Sequence, residues 1–86
     1  MPDYSIVFAR SARRELERLH DPLSSRILEK IELLATNARP SGSRKLEGTE
    51  DLWRVRVGDY RIIYAIDDNL RMVDIVCIRH RRDAYR

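Results

Sequence analysis

The sequence predicts an α+β domain in which a small antiparallel sheet carries a helical hairpin on one face. Between residues 11 and 35 the apolar residues recur at helical spacing, which predicts two helices. From residue 52 onward apolar and polar residues alternate, which predicts three consecutive antiparallel strands. With a short first strand at Ser5–Phe8, the predicted element order is β-α-α-β-β-β.

Local signals indicate where the helices begin and end. Ser11 is a residue type that caps helix N-termini, so the first helix is expected to begin there. Asp21 and Pro22 then end it and start the second helix, with Asp as the cap and Pro at the first helical position. Such a short bend predicts an antiparallel hairpin, and residues 37–43 are expected to form a loop.

Two turns determine which strand residues share a face of the sheet. Gly58-Asp59 is suited to a two-residue hairpin turn, which sets Arg56 opposite Arg61. If Asp68-Asn69 closes the next hairpin in the same way, Arg61 lies opposite Val76. Directly opposed residues project from the same side, so this register sorts the strands into two faces.

One predicted face is apolar nearly throughout, and the helices should dock on it. The other, the basic face, is predicted to hold Arg54, Arg56, Arg61, Ile63, Ala65, Met72, Asp74, Val76, Ile78 and His80. A one-residue slip at the first turn would bury arginines beneath the helices, which desolvation opposes. Alternating arginines are usually a solvated face or a defence against edge pairing, and this reading stays open for Arg54 and Arg56 alone. It explains poorly why basic residues from three strands converge.

The C-terminal run adds charge at the same end of the sheet. Residues 79–86 hold four arginines against one aspartate, which matches the net charge of +3 of the whole chain. Guanidinium groups suit a phosphodiester, an imidazole such as that of His80 is a common acid or base in catalysis, and the phenol of Tyr85 could stack or donate. Because arginine stays protonated, His80 is the better acid or base. His80 as a surface residue and Tyr85 as an anchor of the terminus remain the simpler alternatives.

Composition excludes several classes of protein. A chain of 86 residues with one cysteine predicts a single domain over residues 1–86 without a disulfide framework. No stretch approaches the ~20 apolar residues of a membrane span, and we expect a cytoplasmic protein. The two histidines are distant in the chain, the carboxylates are not clustered, and there is no glycine-rich phosphate loop. We therefore expect the protein to use neither a metal nor a cofactor. A metal-free basic site favours RNA, whose own 2′-hydroxyl can serve as the nucleophile.

These motifs together resemble the RelE/ParE superfamily of bacterial toxins over nearly the whole chain. The resemblance is carried by the element order, the segment Lys45-Leu46-Glu47-Gly48, the hairpin from Trp53 to Tyr64, and the ending His80-Arg81-Arg82-Asp83-Ala84-Tyr85. It implies the toxin of a type II toxin–antitoxin system, held inactive by a cognate RelB-like antitoxin protein. The RelE branch consists of endoribonucleases that enter the ribosomal A site and cut the messenger RNA there.

The resemblance, with the parity argument for His80, also implies site residues. Expected as catalytic are Arg61, His80, Arg81 and Tyr85, and expected as RNA-binding are Lys45, Arg54 and Arg56. By parity His80, and not Arg81, faces the site unless a β-bulge re-aims the strand. Two alternatives stay open. One is the ParE branch, which shares the fold but inhibits DNA gyrase without nuclease activity; the other is a nucleic-acid-binding module without catalysis.

Overall fold

The computed structural model describes residues 3–48 and 51–82, so the predicted site residue Tyr85 lies outside the described residues. The elements in chain order are β1 (Ser5–Phe8), α1 (Arg10–Glu17), α2 (Leu23–Leu33), β2 (Arg44–Lys45), β3 (Leu52–Val57), β4 (Tyr60–Asp67) and β5 (Met72–His80). They form one sheet in the order β1-β5-β4-β3-β2. The α+β class and the helix pair are confirmed. None of the described helices combines the length and the apolar character needed to cross a bilayer.

The sheet is mixed, whereas the sequence predicted an antiparallel one. β1 runs parallel to β5, with Ser5 opposite Met72 and Phe8 opposite Ile75, while the other strand pairs are antiparallel. Two parallel neighbouring strands must be joined by a long crossover connection. Here the connection runs from β1 to β5, and its first part is formed by the two helices. The structure also adds β2, a strand of two residues in the segment between α2 and β3 for which no strand was predicted.

The first helix begins earlier than predicted. Its N-cap is Ala9, and the helix starts at Arg10 and ends at Glu17. The hydroxyl of Ser11 does not cap the helix but donates a hydrogen bond to the carbonyl oxygen of Val76, at 3.1 Å. The residue predicted to start α1 therefore ties this helix to β5.

Asp21 does act at the start of the second helix. Its carboxylate accepts hydrogen bonds from the backbone N–H of Ser25, at 3.1 Å, and from the hydroxyl of Ser24, at 2.6 Å. These hydrogen bonds, first that of Ser24 and then those of Ser25, lower the pKa of Asp21. The helix itself begins at Leu23 with Pro22 as its N-cap, so the predictions of Asp21 as the cap and of Pro22 as the first helical residue are both wrong by one residue.

The core lies between the helices and one face of the sheet. Its largest fully buried side chains are Tyr64, Ile27, Ile31, Leu34, Ile62, Ile75 and Val73. The buried phenol of Tyr64 donates a hydrogen bond to the carbonyl oxygen of Ala38, at 2.9 Å, so its polar end is satisfied. Burial also raises the pKa of Tyr64.

A polar cluster ties together three segments at the opposite end of the sheet from the C-terminal arginines. The carboxylate of Asp68 accepts hydrogen bonds from two guanidinium nitrogens of Arg39, at 3.0 and 3.4 Å, and from the hydroxyl of Tyr4. The guanidinium of Arg39 also lies 5.2 Å from the centroid of the Trp53 ring. The hydrogen bonds from Arg39 and then Tyr4 lower the pKa of Asp68.

This cluster predicts an acid-dependent loss of stability. Because the pKa of Asp68 is lower in the folded state, its contribution is present above the unfolded value of about 3.9 and is lost as the pH falls through the folded value. Between about pH 5 and about pH 2 we expect the melting temperature of the wild type to fall more than that of Asp68→Asn. Asp51→Asn, at an exposed aspartate before β3, should keep the wild-type slope. Equal slopes for the wild type and Asp68→Asn would contradict the prediction.

Candidate functional site

The hairpin of β3 and β4 has the predicted register. Arg56 lies opposite Arg61, and Val57 lies opposite Tyr60 across a two-residue turn. Gly58 begins this turn with a φ of +58°, a conformation that glycine adopts without a steric penalty. The two arginines therefore project from the same side of the sheet, as predicted.

The hairpin of β4 and β5 closes with a wider connection than predicted. Asp67 lies opposite Met72, so four residues connect the strands in place of two. The side chain of Asp67 accounts for the wider loop, because its Oδ1 accepts the N–H of Leu70 at 2.9 Å. Arg71 then completes the loop with a φ of +52°. A shift of two residues by itself leaves every side chain on its predicted face.

A β-bulge then exchanges the two faces in the last part of β5. Tyr64 lies opposite Ile75, whereas the preceding residue Ile63 lies opposite Cys77, so that Val76 is the extra residue. One inserted residue reverses the side-chain alternation of a strand. Every β5 residue beyond the bulge therefore lies on the face opposite to the predicted one.

The prediction that His80 lies on the basic face is therefore wrong. His80 lies opposite Tyr60, on the side of the sheet that the helices cover, and the two rings meet edge to face with centroids 5.3 Å apart. Ile78, also predicted on the basic face, is instead part of the core and only 2% exposed. On the basic face, Arg79 lies opposite Arg61, where Val76 was predicted.

The same bulge brings Arg81 to a basic cavity at the hairpin end of the sheet. The cavity has a volume of about 430 Å³ and is lined by Arg56, Gly58, Asp59, Tyr60, Arg61, Arg81 and Arg82. The backbone N–H of Arg81 donates a hydrogen bond to the carbonyl oxygen of Asp59, at 2.8 Å. This bond holds the residues after β5 beside the β3–β4 turn. Four guanidinium groups thus share the cavity with one carboxylate.

Arg61 is the most enclosed charge of this cavity. Its relative exposure is 8%, and among residues 3–48 and 51–82 it is the one charged side chain that is buried. Buried arginine is uncommon in proteins. A guanidinium in such surroundings interacts more strongly with an anion than it would in water, because the local dielectric is lower. The cavity is therefore suited to bind a phosphate or a similar anion.

Arginines also lie directly opposite one another across three strands. Arg56, Arg61 and Arg79 form this row, which we call the arginine row. Directly opposed like charges destabilise a sheet. Arg79 is compensated, because its Nε donates a hydrogen bond to a carboxylate oxygen of Glu15, at 3.3 Å. Arg56 and Arg61 are directly opposed like charges, an arrangement that by itself opposes folding.

Of the predicted RNA-binding residues, the structure brings two together and separates the third. Arg54 lies opposite Arg44 of β2, and both line a second cavity of about 380 Å³ with Arg56. Because Arg56 lines both cavities, the basic surface continues from β5 to β2. Lys45 lies opposite Trp53 and so projects from the other face of the sheet.

Three further arginines of this surface were not predicted as site residues from the sequence: Arg44, Arg79 and Arg82. The arginine-rich ending held a signal for Arg82, which lines the first cavity. Arg44 could have been predicted only if the short strand β2 had been predicted, and Arg79 only if the bulge had been. The described residues bring together no cluster of His, Cys, Asp or Glu that could hold a metal ion.

Comparisons with known proteins agree on a family. A family model described as the ParE toxin of the type II toxin–antitoxin system parDE matches residues 6–85. The chain is also 33% identical over 84 residues to Toxin RelE of Mycobacterium tuberculosis, a match that covers 96% of this chain and 87% of that protein. The chain belongs to the RelE/ParE superfamily of type II toxins.

Solved structures of related toxins share the fold of this RelE/ParE toxin. The archaeal RelE–RelB complex from Pyrococcus horikoshii OT3 aligns with a TM-score of 0.82 at 29% identity, over 94% of this chain and 98% of that chain. The toxin–antitoxin complex RelBE2 from M. tuberculosis aligns with a TM-score of 0.79 at 26% identity, over 93% and 99% of the two chains. The RelE-like fold predicted from the sequence is thus confirmed.

The arginine row predicts that removing one of its charges stabilises the folded toxin. Arg56→Gln removes one directly opposed pair of charges, which we expect to raise the free energy of unfolding by about 0.5 kcal/mol. For a domain of this size the melting temperature should rise by about 2–4 °C at low ionic strength, and by less as salt is added. Arg13→Gln, on the exposed surface of α1, is the matched control and should have little effect. A lower melting temperature for Arg56→Gln would contradict the argument.

Proposed function

We propose that this toxin is a metal-independent endoribonuclease that cleaves messenger RNA in the ribosomal A site and so inhibits translation. The observation that carries the proposal is the cavity in which the buried Arg61 meets Arg56, Arg81 and Arg82. Relatives named RelE, and the expectation from the sequence that RNA supplies its own nucleophile, support the same conclusion.

The proposed reaction requires the protein to orient the RNA and to stabilise charge. The 2′-hydroxyl oxygen attacks the adjacent phosphorus, and the bond from phosphorus to the 5′-oxygen of the next nucleotide breaks. The 2′-hydroxyl loses its proton and the departing 5′-oxygen gains one, so the products are a 2′,3′-cyclic phosphate and a 5′-hydroxyl. Negative charge develops on the phosphoryl oxygens during the attack, and we assign its stabilisation to Arg61 and Arg81.

The remaining arginines are assigned to the RNA backbone. Arg54 and Arg56 retain the RNA-binding role predicted from the sequence, and Arg44 joins them because it lies opposite Arg54. Contacts of this kind position a nucleic acid without reading its bases. Tyr85, which lies outside the described residues, retains the catalytic role expected from the resemblance. Lys45 is given no place at the cavity, since it projects from the other face.

We assign His80 a positioning role in place of acid–base catalysis. Its Nδ1 accepts a hydrogen bond from the backbone N–H of Arg82, at 3.3 Å. Arg81 and Arg82 form the turn that follows β5 and line the cavity. The imidazole thus supports this turn from the far side of the sheet.

A cognate RelB-like antitoxin is the proposed protein partner. The half-buried apolar residues Ile63, Ala65 and Met72 lie among the charges of the basic face, and such a mixed surface suits a protein segment that covers it. The related structures from P. horikoshii and M. tuberculosis are toxin–antitoxin complexes, which supports this partner.

Mapping RNA 5′ ends after induced expression tests the activity. We expect growth arrest and messenger RNA cut inside codons. Arg81→Ala should reduce cleavage about 10²–10³-fold, because one donor to the developing charge is removed. Arg81 is exposed, so this change leaves no internal void; Arg61→Ala should have a similar effect, but its burial calls for a check of the melting temperature. Arg13→Ala is the matched control and should cleave like the wild type.

The same experiment separates the alternatives. The match to a ParE toxin family model favours a second candidate, an inhibitor of DNA gyrase without nuclease activity. Intact transcripts together with altered DNA supercoiling would replace the ribonuclease proposal with that one. Efficient cleavage of purified RNA without ribosomes would contradict the ribosome dependence and leave the nuclease activity in place.

Two substitutions at His80 test its assigned role. His80→Asn keeps a hydrogen-bonding atom near the position of Nδ1 but cannot titrate near neutral pH. We expect His80→Asn to retain most of the cleavage activity and His80→Ala to lose about tenfold, through the misplaced turn. A loss of about 10²-fold or more in both variants, together with the loss of one limb of the pH–rate profile, would restore the acid–base role.

A further inference from the structure

Beyond the end of β1, side chains of α1 form hydrogen bonds with the outer edge of β5. β1 ends at Phe8, opposite Ile75, whereas β5 continues to His80. The hydroxyl of Ser11 donates a hydrogen bond to the carbonyl oxygen of Val76, at 3.1 Å. Glu15, four residues or about one helical turn further along α1, supplies a second contact. Helix α1 thus supplies hydrogen-bond partners to the part of β5 that extends beyond β1.

Glu15 makes two contacts with β5 directly after the bulge. Its Oε1 accepts the backbone N–H of Ile78 at 2.9 Å, and its Oε2 accepts the Nε–H of Arg79 at 3.3 Å. The first contact satisfies a backbone donor at the strand edge, as a neighbouring strand would. The second pairs the guanidinium of Arg79 with a carboxylate at the edge of the sheet.

These contacts lie at the β-bulge and directly after it. Val76 is the extra residue of the bulge, and the contact from Ser11 is on Val76 itself while that from Glu15 is two residues later. Without the bulge, His80 and not Arg81 would belong to the basic face. A bulge leaves one residue out of the ladder, so the bulged register needs other contacts to stabilise it.

We propose that Glu15 is a positioning residue, which stabilises the bulged register of β5 and thereby presents Arg81 to the cavity. The inference rests on the proposed ribonuclease function for its activity readout only. Glu15 acts through Ile78 and Arg79 and takes no part in the chemistry. Its removal is expected to lower activity because Arg81 is displaced, and a displacement of about 1 Å can cost up to about 10²-fold.

Three variants on α1 test the proposal. Glu15→Ala should lower RNA cleavage about tenfold or more. Glu15→Gln keeps an oxygen that can accept the Ile78 N–H, so it should recover much of the lost activity. Glu17→Ala, at the exposed last residue of the same helix, is the matched control and should cleave like the wild type.

A double-mutant cycle separates positioning from a general loss of stability. If Glu15 acts through Arg81, adding Glu15→Ala to Arg81→Ala should cause little further loss of cleavage. In an Arg54→Ala background the same change should still cause its full fold-loss, because Arg54 lies on a different strand. Independent, multiplicative losses in the Arg81→Ala background would overturn the proposal, and so would full activity of Glu15→Ala in a toxin whose wild type cleaves RNA.

Hydrogen exchange provides a readout that does not depend on the activity. In Glu15→Ala the backbone amides of Ile78 and Arg81 should both exchange faster than in the wild type, the second because its bond to the Asp59 carbonyl is lost with the register. Unchanged protection at Arg81 would overturn the proposal even if the wild type proved to lack nuclease activity. Absent cleavage by the wild type, with the expected loss of protection in the variant, would overturn the proposed function alone.

Discussion

The bulge at Val76 decides which side chains meet at the candidate site. Side chains alternate along a strand, so a single inserted residue exchanges the faces of everything that follows. Before the bulge Ile75 belongs to the core, and after it Ile78 does, although the two are three positions apart. This exchange lets one strand serve the core along its whole length and still deliver Arg81 to the opposite side at its end.

The candidate site combines two opposing electrostatic requirements. A phosphate is held most strongly by several guanidinium groups in partly buried surroundings, yet gathering those groups without an anion costs stability. The structure meets the second requirement by distributing the charges. Arg79 is compensated by Glu15, the turn with Arg81 is held by a backbone hydrogen bond to Asp59, and only Arg61 is buried among the described charged residues. An anion in the cavity would attract these guanidinium groups and offset their mutual repulsion.

The parts of the structure that depend on short-range signals were predictable from the sequence. Gly58-Asp59 permits essentially one hairpin geometry, so the register of β3 and β4 followed from the turn alone. The second hairpin depends on a side chain, because the hydrogen bond from the Leu70 N–H to Asp67 widens the loop beyond the two residues expected. A turn pattern of Asp and Asn is compatible with both lengths.

The bulge could not be predicted because its contacts come from distant residues. Val76 is neither a glycine nor flanked by one, so no local signal indicates an inserted residue. Its stabilising contacts come from Ser11 and Glu15, which lie 65 and 63 positions from their partners in the chain. From the sequence, Ser11 is predicted to be a helix cap, which is the usual local role of that residue type. In the structure Ser11 instead makes a tertiary hydrogen bond to Val76. Because the bulge forms at Val76, His80 lies on the face of the sheet opposite to the predicted one.

Membership of the RelE/ParE superfamily accounts for the fold but does not choose between its two branches. A model described as a ParE toxin and a relative named RelE both match nearly the whole chain, so overall similarity supports either activity. The choice depends on what the cavity can do. Arginine is common at protein–protein interfaces as well. The feature that favours an anion is the gathering of four arginines around one concave site, with Arg61 buried. A phosphodiester gains negative charge as it reacts, and guanidinium groups can stabilise that charge. The proposed activity therefore rests on Arg61 and its neighbours and not on the family.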